Sequence, residues 1–223
     1  MEVPILIKAY TGSPLVRKLV DKWLGLSPVM MLTERELEGA RSILDLGCGP
    51  NSIVRYLPRR FYSVGVEIFQ PYLAEAKRRQ IHSDYLRADL RRLELREKSF
   101  DAVLLLEVIE HFSKSEALRL LSKAESWARQ TIIVGTPQGF VQPGVCDANP
   151  FQVHQSGWTK HELEGLGFEC HGVGGWKRLY GTNGRAKMRP RSLGMLAAAL
   201  TQKLTRFYPE RCHGLLAIKE VRR

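Results

Sequence analysis

Hydrophobic and polar positions follow two alternating periods along the chain, and this alternation predicts an α/β protein. Short apolar runs typical of strands are separated by stretches whose apolar residues recur at helical spacing. The predicted strands are "SILDLG", "YSVGVE", "DYLRAD", "FDAVLLLEV" and "TIIVGT", and the predicted helices between them are "SIVRYL", "PYLAEAKRRQ" and "SEALRLLSKAESWA". Strands and helices in this rhythm indicate a parallel sheet with helices on both faces.

Two further strands, "FECHGV" and "GLLAIKEV", are predicted near the end of the chain. They complete a Rossmann-like, seven-stranded and mostly parallel sheet. The helix "TKHELEGL" before them opens with a Thr-x-x-Glu capping box. The first forty residues predict short helices, one of which starts at a similar box formed by Thr33 and Glu36. We therefore expect an N-terminal helical cap over residues 1–40 and one α/β domain over residues 41–223.

Positive charge is concentrated in a helical insertion before the last strand. The chain has a net charge of +11, and residues 177–211 contain nine Lys or Arg and one Glu, which leaves +3 for the rest. Two interpretations stay open: peripheral contact with an anionic membrane, or a lid over a substrate pocket whose charges are simply solvated. Nucleic acid is disfavoured because few aromatic residues lie between the charges. The helix "SLGMLAAALTQKLTRF" places these apolar residues on one face: Leu193, Leu196, Leu200, Leu204 and Phe207.

The composition narrows the location and the chemistry. No apolar run approaches the roughly 20 residues needed to cross a bilayer, and the first residues lack the basic and apolar regions of a secretory signal. We therefore expect a cytoplasmic protein. The four cysteines, Cys48, Cys146, Cys170 and Cys212, form no Cys-x-x-Cys pair. Neither a zinc site nor a disulfide framework is indicated, and no metal is expected.

A glycine loop, "ILDLGCGPN", follows the first strand of the predicted sheet. A dinucleotide-binding fingerprint would need glycine at position 52, where this chain has Ser52. Asp45 precedes the loop at the strand end, where we expect its carboxylate to point into the ligand cleft. Such a charge suits S-adenosylmethionine (SAM), which carries an ammonium and a sulfonium group and no phosphate. The alternative is that Asp45 only caps the local turn.

Three more acidic residues follow the next strands. Glu67 ends the second strand, where a carboxylate can accept both ribose hydroxyls of a nucleoside. Asp89 ends the third strand and can accept a hydrogen bond from an adenine amine, and Glu107 ends the fourth. Because parallel strands end at one edge of the sheet, these acids and the glycine loop predict one cleft.

Together, these motifs resemble the class I SAM-dependent methyltransferases, and in particular the small-molecule, ubiquinone-biosynthesis-like group (methyltransferase type 11/12). The stretches that carry the resemblance are "ILDLGCGPNS", "VGVEIF", "RADLRRLELREKSFDAVLLLEVIEHF" and "TPQG". The resemblance implies SAM as cofactor and S-adenosylhomocysteine (SAH) as product. It implies that the cofactor is bound by Asp45, Gly47, Cys48, Gly49, Asn51, Glu67, Ile68, Asp89, Leu90 and Glu107. Asn51 replaces the last glycine of the family's pattern, and asparagine tolerates the left-handed backbone that this turn would need.

Two histidines are the candidates for a general base, because the ordinary pKa of imidazole lies near neutral pH. His111 follows the fourth strand, and His154 lies in the loop after the fifth. Each has an alternative role, His111 in shaping the pocket and His154 as a substrate contact; Glu110 could also serve. Four aromatic residues either stack on an acceptor at the mouth of the cleft or pack in the core beneath the loop: Phe112, Phe140, Phe151 and Trp158.

The leading functional hypothesis is methyl transfer from SAM to a small acceptor, lipophilic or polyketide-like, with O-, N- and C-methylation all open. The alternatives are a methyltransferase of RNA or protein, and a SAM-binding protein without catalytic activity. "NPF" at residues 149–151 partly matches the Asn-Pro-Pro-Tyr/Phe signature of enzymes that methylate base amines. It lacks the second proline and follows the wrong strand, so it predicts a turn. Asp45 and Ser52 disfavour an NAD-dependent oxidoreductase.

Overall fold

A computed structural model describes residues 28–57, 61–142, 148–184, 187–188 and 191–221. Most of the predicted N-terminal cap and Cys146 lie outside the described residues. The side chains of residues 191, 192, 195 and 196 also lie outside them, so the predicted place of Leu196 on the helix face is not described.

Seven strands form one sheet, which confirms the predicted architecture. The strand order is β3-β2-β1-β4-β5-β7-β6, and every described pair is parallel except the two that involve β7. The order reverses between β1 and β4, so a crevice opens there at the carboxyl ends of the strands. The strands are β1 (Ser42–Leu46), β2 (Tyr62–Val66), β3 (Asp84–Leu86), β4 (Phe100–Leu106), β5 (Ala128–Pro137), β6 (Glu169–Trp176) and β7 (Cys212–Glu220).

Helices cover both faces of the sheet. They are α1 (Pro28–Glu36), α2 (Gln70–Arg78), α3 (Lys114–Trp127), α4 (Lys160–Gly165) and α5 (Arg191–Thr205). Capping boxes start α3 at Ser113 and α4 at Thr159, the second of which was predicted. Because side chains alternate along a strand, Leu44 and Leu46 pack on the α3 side while Ile43 packs on the side of α1 and α2. The sheet is thus buried on both faces.

Two local predictions are wrong. Thr33 does not start a helix: it lies inside α1 and is fully buried, because α1 begins earlier at Pro28, a residue suited to a first turn. The stretch "SIVRYL" forms only a 3₁₀ turn over Ile53–Tyr56. Leu57 is already extended, as expected for a residue before proline.

The basic segment before the last strand contains α5, which packs on β6 at the edge of the sheet. The buried amide of Gln202 donates to the Gly172 carbonyl and accepts from the Gly175 amide, both at 2.7 Å. Gly175 has a φ of 72°, and a Cβ there would lie 2.3 Å from the Ala198 carbonyl oxygen. This close contact fixes the helix against the strand. Among the described residues, no helix is long and apolar enough to cross a bilayer.

Candidate active site

A cleft lies at the carboxyl ends of β1, β2 and β4, where the strand order predicts a ligand site. Its enclosed volume is about 100 Å³, and segment 149–152 covers one side. This volume is smaller than the about 300–1,000 Å³ that is usual for sites of drug-sized ligands. The cleft is lined by Gly47, Val66, Glu67, Ile68, Asp89, Leu90, Arg91, Glu107, Val108, His111, Phe112, Asn149, Pro150, Phe151, Gln152 and Gln155.

A larger cavity of about 780 Å³ lies at the other ends of the strands, away from the cleft and beside Lys98, Gly167 and Lys219. It contains none of the predicted site residues. The smaller cleft is the candidate site, because its position and its polar groups match ligand chemistry in open α/β sheets.

The glycine loop approaches the end of β4 closely. Gly47 has a φ of 65°, and a Cβ there would lie 2.7 Å from Cγ2 of Val108. Both facts require glycine at this position. Gly49 also has a positive φ, of 51°, and its amide donates to Oε2 of Glu67 at 3.1 Å. The loop therefore binds the end of β2 through a predicted site residue.

Glu67 occupies the predicted place directly after β2 and faces the cleft. Its Oε1 accepts from the Phe69 amide at 2.8 Å, so each carboxylate oxygen holds one backbone donor. Burial raises the pKa of Glu67 above its ordinary value, and the amide donors offset part of that effect. Each oxygen can still accept one more hydrogen bond, which is the capacity that a ribose diol needs.

Asp45 does not point into the cleft, which corrects the expectation from the sequence. Its carboxylate is buried, accepts from Ser52 Oγ at 2.5 Å and lies 3.3 Å from Nε2 of His82. Ser52 in turn accepts from the Val54 amide and so caps the 3₁₀ turn. The geometry is that of the alternative interpretation, in which Asp45 holds the local turn.

Two other predicted loop residues also turn away from the cleft. The Cys48 side chain points toward Gly65, where an added Cβ would lie 2.9 Å from Sγ, and burial raises the pKa of this thiol. Asn51 does not have a positive φ, so the predicted left-handed turn is absent at this residue. Its Oδ1 instead accepts from Arg79 Nη1 at 2.9 Å. Arg79 thus holds the side chain at the last position of the loop, where the sequence differs from the family's glycine.

Asp89 and Leu90 line the cleft as predicted, although β3 ends earlier, at Leu86. The two oxygens of Asp89 accept from the amide and the guanidinium of Arg91. Arg91 also lies 5.2 Å from the centre of the Phe112 ring and pairs with Glu116 at 3.2 Å. Arg91 is a cationic residue of the cleft that the sequence did not predict, and its only signal was its position two residues after Asp89.

Glu107 lines the far end of the cleft, and Glu110 is buried beside it. Glu107 directly follows β4, is exposed to the cleft and has a strained φ of 57°. Glu110 is 1% exposed, and its Oε2 accepts from Thr136 Oγ1 at 3.1 Å. Burial raises the pKa of both groups, and the nearby Glu107 carboxylate raises that of Glu110 further. Surrounding atoms thus desolvate the Glu107 carboxyl even though the residue borders the open cleft.

The two candidate histidines lie against each other. Their rings meet edge to face with centroids 4.8 Å apart. Nδ1 of His111 lies 3.3 Å from the Val153 carbonyl, and Nδ1 of His154 lies 2.6 Å from the Val141 carbonyl. Burial, and then the neighbouring His154, lower the pKa of His111 to about 4, and burial lowers that of His154. Both imidazoles are therefore neutral near pH 7. Only His111 lines the cleft itself.

The loop after β5 is fixed to the turn after β4. The amides of Gln155 and Ser156 both donate to the Glu110 carbonyl, and the Gln155 side chain donates to the His111 carbonyl. These bonds bring His154 to His111 across 42 intervening residues of chain. Asn149 caps the predicted turn by accepting from the Phe151 amide, and it also lines the cleft, which sequence reasoning missed.

The predicted aromatic cluster forms only in part. Phe112 and Phe151 line the cleft. Trp158 is 1% exposed within the core and donates from Nε1 to Ser156 Oγ, while Phe140 is 60% exposed to solvent. For Trp158, the interpretation as core packing is the right one.

Comparison with known proteins gives a family match and a shared fold. Residues 44–130 match the family described as "Methyltransferase domain". A search of proteins with curated functions finds no match.

Solved structures resemble the chain over most of its length. A SAM-dependent methyltransferase from Archaeoglobus fulgidus has a TM-score of 0.55 at 18% identity, covering 92% of this chain and 99% of that one. Magnesium protoporphyrin IX methyltransferase from Synechocystis PCC 6803, with bound SAH, has 0.54 at 17%, covering 100% and 90%. A plantazolicin methyltransferase in complex with SAH has 0.55 at 15%, covering 98% and 94%. At identities this low, the structural similarity shows a common fold and nothing further.

Proposed function

We propose that the chain is a SAM-dependent methyltransferase that transfers the methyl group of SAM to a small-molecule acceptor in the cleft described above. The match of residues 44–130 to a methyltransferase domain and the shared fold of SAM-dependent methyltransferases support this proposal. The observation that carries the proposal is that the glycine loop, Glu67, Asp89 and His111 all line one cleft at the switch point of the sheet.

The cofactor orientation follows from the polar groups along the cleft. Glu67 binds the ribose hydroxyls with its two carboxylate oxygens, and Asp89 with Leu90 holds the adenine. Gly47 allows the methionine part to approach the backbone, with Glu107 beside it. The sulfonium methyl group then points toward His111, at the end of the cleft that the β4 and β5 loops build.

The transfer is an in-line displacement for which SAM supplies the reactivity. The acceptor atom forms a bond to the methyl carbon while the carbon–sulfur bond breaks, and its electron pair stays on sulfur as SAH. The protein orients both molecules and excludes water. His111 borders the reacting atoms, but a pKa of about 4 makes it a weak base at neutral pH. The acceptor must therefore be nucleophilic by itself or be made acidic by another group.

A small acceptor is favoured over RNA or protein by what surrounds the cleft. Phe112 and Phe151 present apolar rings beside Asn149, a lining that suits a planar or lipophilic molecule. No described residue of the basic segment 177–211 lines the cleft. Two proteins of the same fold are named for a porphyrin and for plantazolicin as their substrates.

The outer surface of α5 supports a membrane as the place where a lipophilic acceptor is met. Leu200 and Leu204 share one face of α5, and Phe207 lies in the turn after it, because α5 ends at Thr205 rather than at Phe207 as the sequence predicted. These three residues are 56%, 72% and 67% exposed. Lys203 and Arg206 flank them, and Arg206 lies 4.5 Å from the Phe207 ring centre. Apolar residues between basic ones suit the surface of an anionic bilayer. A second copy of the chain is disfavoured as the occupant because two such basic surfaces repel each other.

Calorimetry with SAM, SAH and NAD tests the cofactor. We expect SAM and SAH to bind with one site each and NAD not to bind. Transfer of labelled methyl groups from SAM to lipophilic phenols, quinols and amines, to total RNA and to protein then tests the acceptor. Labelling of RNA or protein alone would contradict the small-molecule proposal, and SAM binding without transfer to any class would favour a non-catalytic protein.

Vesicle sedimentation tests the α5 surface. We expect binding to vesicles that contain phosphatidylglycerol, weaker binding at high salt and none to pure phosphatidylcholine. Leu204→Ser with Phe207→Ser should abolish it. Leu118→Ser is the matched control, because Leu118 is 43% exposed on α3, outside the basic segment. Unchanged binding in the double variant, or a dimer of the wild type that the double variant loses, would overturn this part of the proposal.

A further inference from the structure

Three side chains converge beside the cleft in an arrangement that suits a divalent metal ion. One carboxylate oxygen of Glu110 and one ring nitrogen each of His111 and His154 lie within 4.8 Å of one another. Two ligands of a tetrahedral ion, each at about 2.1 Å from it, are separated by about 3.4 Å. Small side-chain rotations therefore bring all three atoms onto one ion. The sequence did not predict this group because His154 is distant along the chain and no cysteine pair accompanies it.

Both imidazoles are already oriented as metal ligands are. Each Nδ1 lies at hydrogen-bond distance from a backbone carbonyl, that of Val153 for His111 and that of Val141 for His154. When the Nδ1–H group of a neutral imidazole donates a hydrogen bond to the carbonyl, the Nε2 lone pair is available to bind a metal ion. Metal-binding histidines commonly donate their other ring N–H in this way, which fixes the tautomer and the ring orientation.

Glu110 provides a second, independent observation. The residue is 1% exposed, and while Oε2 accepts from Thr136, Oε1 has no backbone, hydroxyl or cationic donor among the described residues. The Glu110 carboxyl lies within hydrogen-bond reach of the Glu107 carboxyl, and the two can share that bond only when one of them carries a proton. A buried carboxylate oxygen without a donor, next to a second carboxylate, requires a proton or a cation.

From this geometry we propose that Glu110, His111 and His154 bind a divalent first-row transition-metal ion, with Zn²⁺ and Mn²⁺ as the expected species. Two imidazoles and one carboxylate match the ligand preferences of such ions better than those of Mg²⁺ or Ca²⁺. Three protein ligands leave at least one position open, as catalytic metal sites do. Since His111 also lines the cleft, an ion held by these residues would border the end of the cleft where the methyl group is proposed to be transferred.

The role of the ion rests on the proposed function and narrows it to O-methylation. A hydroxyl oxygen of the acceptor binds the ion, which lowers the pKa of that hydroxyl, and its proton leaves to water. The resulting alkoxide or phenolate oxygen forms a bond to the methyl carbon of SAM as the carbon–sulfur bond breaks. The electron pair of that bond stays on sulfur, and the ion keeps its oxidation state. The ion thereby supplies the acidification of the acceptor hydroxyl.

Metal titration of the chelator-treated protein tests the site without any activity assay. We expect calorimetry to show one equivalent of Zn²⁺ or Mn²⁺ bound, and bound more tightly than Mg²⁺. His154→Ala should weaken binding about tenfold or more, since it removes a ligand. His161→Ala is the matched control, because His161 is exposed on α4 and outside the group, and it should bind like the wild type. Electron paramagnetic resonance of bound Mn²⁺ gives a second reading of the same site.

SAH binding, measured on the same samples, separates the two proposals. His154→Ala should bind SAH like the wild type, which also shows that the variant is folded. Metal binding that is absent in the wild type, or unchanged in His154→Ala, overturns the metal site and leaves the methyltransferase proposal intact. A wild type that binds the metal but not SAH overturns the methyltransferase proposal and leaves the metal site intact. Full methyl transfer to a hydroxyl acceptor by chelator-treated protein would remove the catalytic role of the ion.

Discussion

Oε2 of Glu67 accepts a hydrogen bond from the backbone amide of Gly49 at 3.1 Å, which links the residue proposed to bind the ribose to the glycine loop. Removing this carboxylate should affect the cofactor twice, by losing the ribose contacts and by freeing the loop. Hydrogen bonds to a charged group contribute about 1.5–3 kcal/mol each. Variants at Glu67 and variants within the loop should therefore both weaken cofactor binding.

Glu67→Ala should weaken SAH binding by at least tenfold, which corresponds to about 1.4 kcal/mol. Glu67→Gln keeps the shape and one acceptor oxygen, so its loss should be smaller. Calorimetry on both variants measures the difference, with Glu97→Ala as the control because Glu97 is exposed and outside the cleft. Equal affinities in all three variants would contradict the ribose role.

Gly47→Ala should destabilise the protein and abolish SAH binding. The new Cβ would lie 2.7 Å from Val108 Cγ2, and the residue keeps a φ of 65° that costs a non-glycine residue about 1–2 kcal/mol. Adding Val108→Ala relieves the clash but not the strain, so the double variant should recover only part of the lost stability. Urea unfolding of the two variants distinguishes these contributions. Complete recovery would show that backbone strain is unimportant at Gly47.

Asp101 should make stability depend on pH in the acid range. Its carboxylate accepts from the amides of Arg41 and Ser42 and from Arg129 Nη1. Burial acts to raise the pKa of Asp101, but these hydrogen bonds outweigh burial and hold the pKa below its usual value. A lowered pKa in the folded state stabilises the protein above the unfolded-state pKa of about 3.9. That contribution is lost as the pH falls through the folded-state pKa.

Asp101→Asn should therefore be less stable than the wild type at pH 7, and the difference should shrink toward pH 3. Urea unfolding at several pH values measures it. Asp84→Asn is a suitable control, because Asp84 lies on the exposed side of β3 and bonds mainly to Tyr62. A difference between Asp101→Asn and wild type that stays constant with pH would refute the linkage.

Gln202→Leu should loosen α5 from the sheet. It leaves the Gly175 amide and the Gly172 carbonyl without partners in a buried place, at a cost of about 1–3 kcal/mol for each group. Hydrogen exchange should then increase in α5 and β6 while β1 and β4 stay protected. Gln130→Leu is the control, because Gln130 is exposed on β5 and outside this contact. Uniform exchange along the whole sheet would mean that α5 does not unfold locally.

The sequence predicted the sheet because strands buried on both faces have a strong apolar signal, as in "FDAVLLLEV". It also placed Glu67, Asp89 and Glu107 at the same edge, since that follows from parallel strands alone. Asp45 was misjudged for a different reason. Strand position places a residue near the cleft but does not fix its rotamer, and Ser52 and His82 turn this carboxylate inward.

Asn51 and His154 show a second limit. A tolerance for left-handed geometry does not mean that the chain uses it, and Arg79, just after the distant α2, holds the Asn51 side chain instead. The contact of His154 with His111 depends on amides that bind one carbonyl across a long loop. Such pairings leave no periodic pattern in the sequence, so only the folded chain reveals them.

The hydrogen bonds from the amides of residues 155 and 156 to the Glu110 carbonyl hold the loop after β5 against the turn after β4. In the function proposed above, the segments after β1, β2 and β3, together with Glu107, bind the cofactor, and the remaining segments after β4 and β5 bind the acceptor. The loop after β5 is therefore a single segment through which, under the proposed function, a sequence change would alter the acceptor preference while the glycine loop and Glu67 keep their mutual contact.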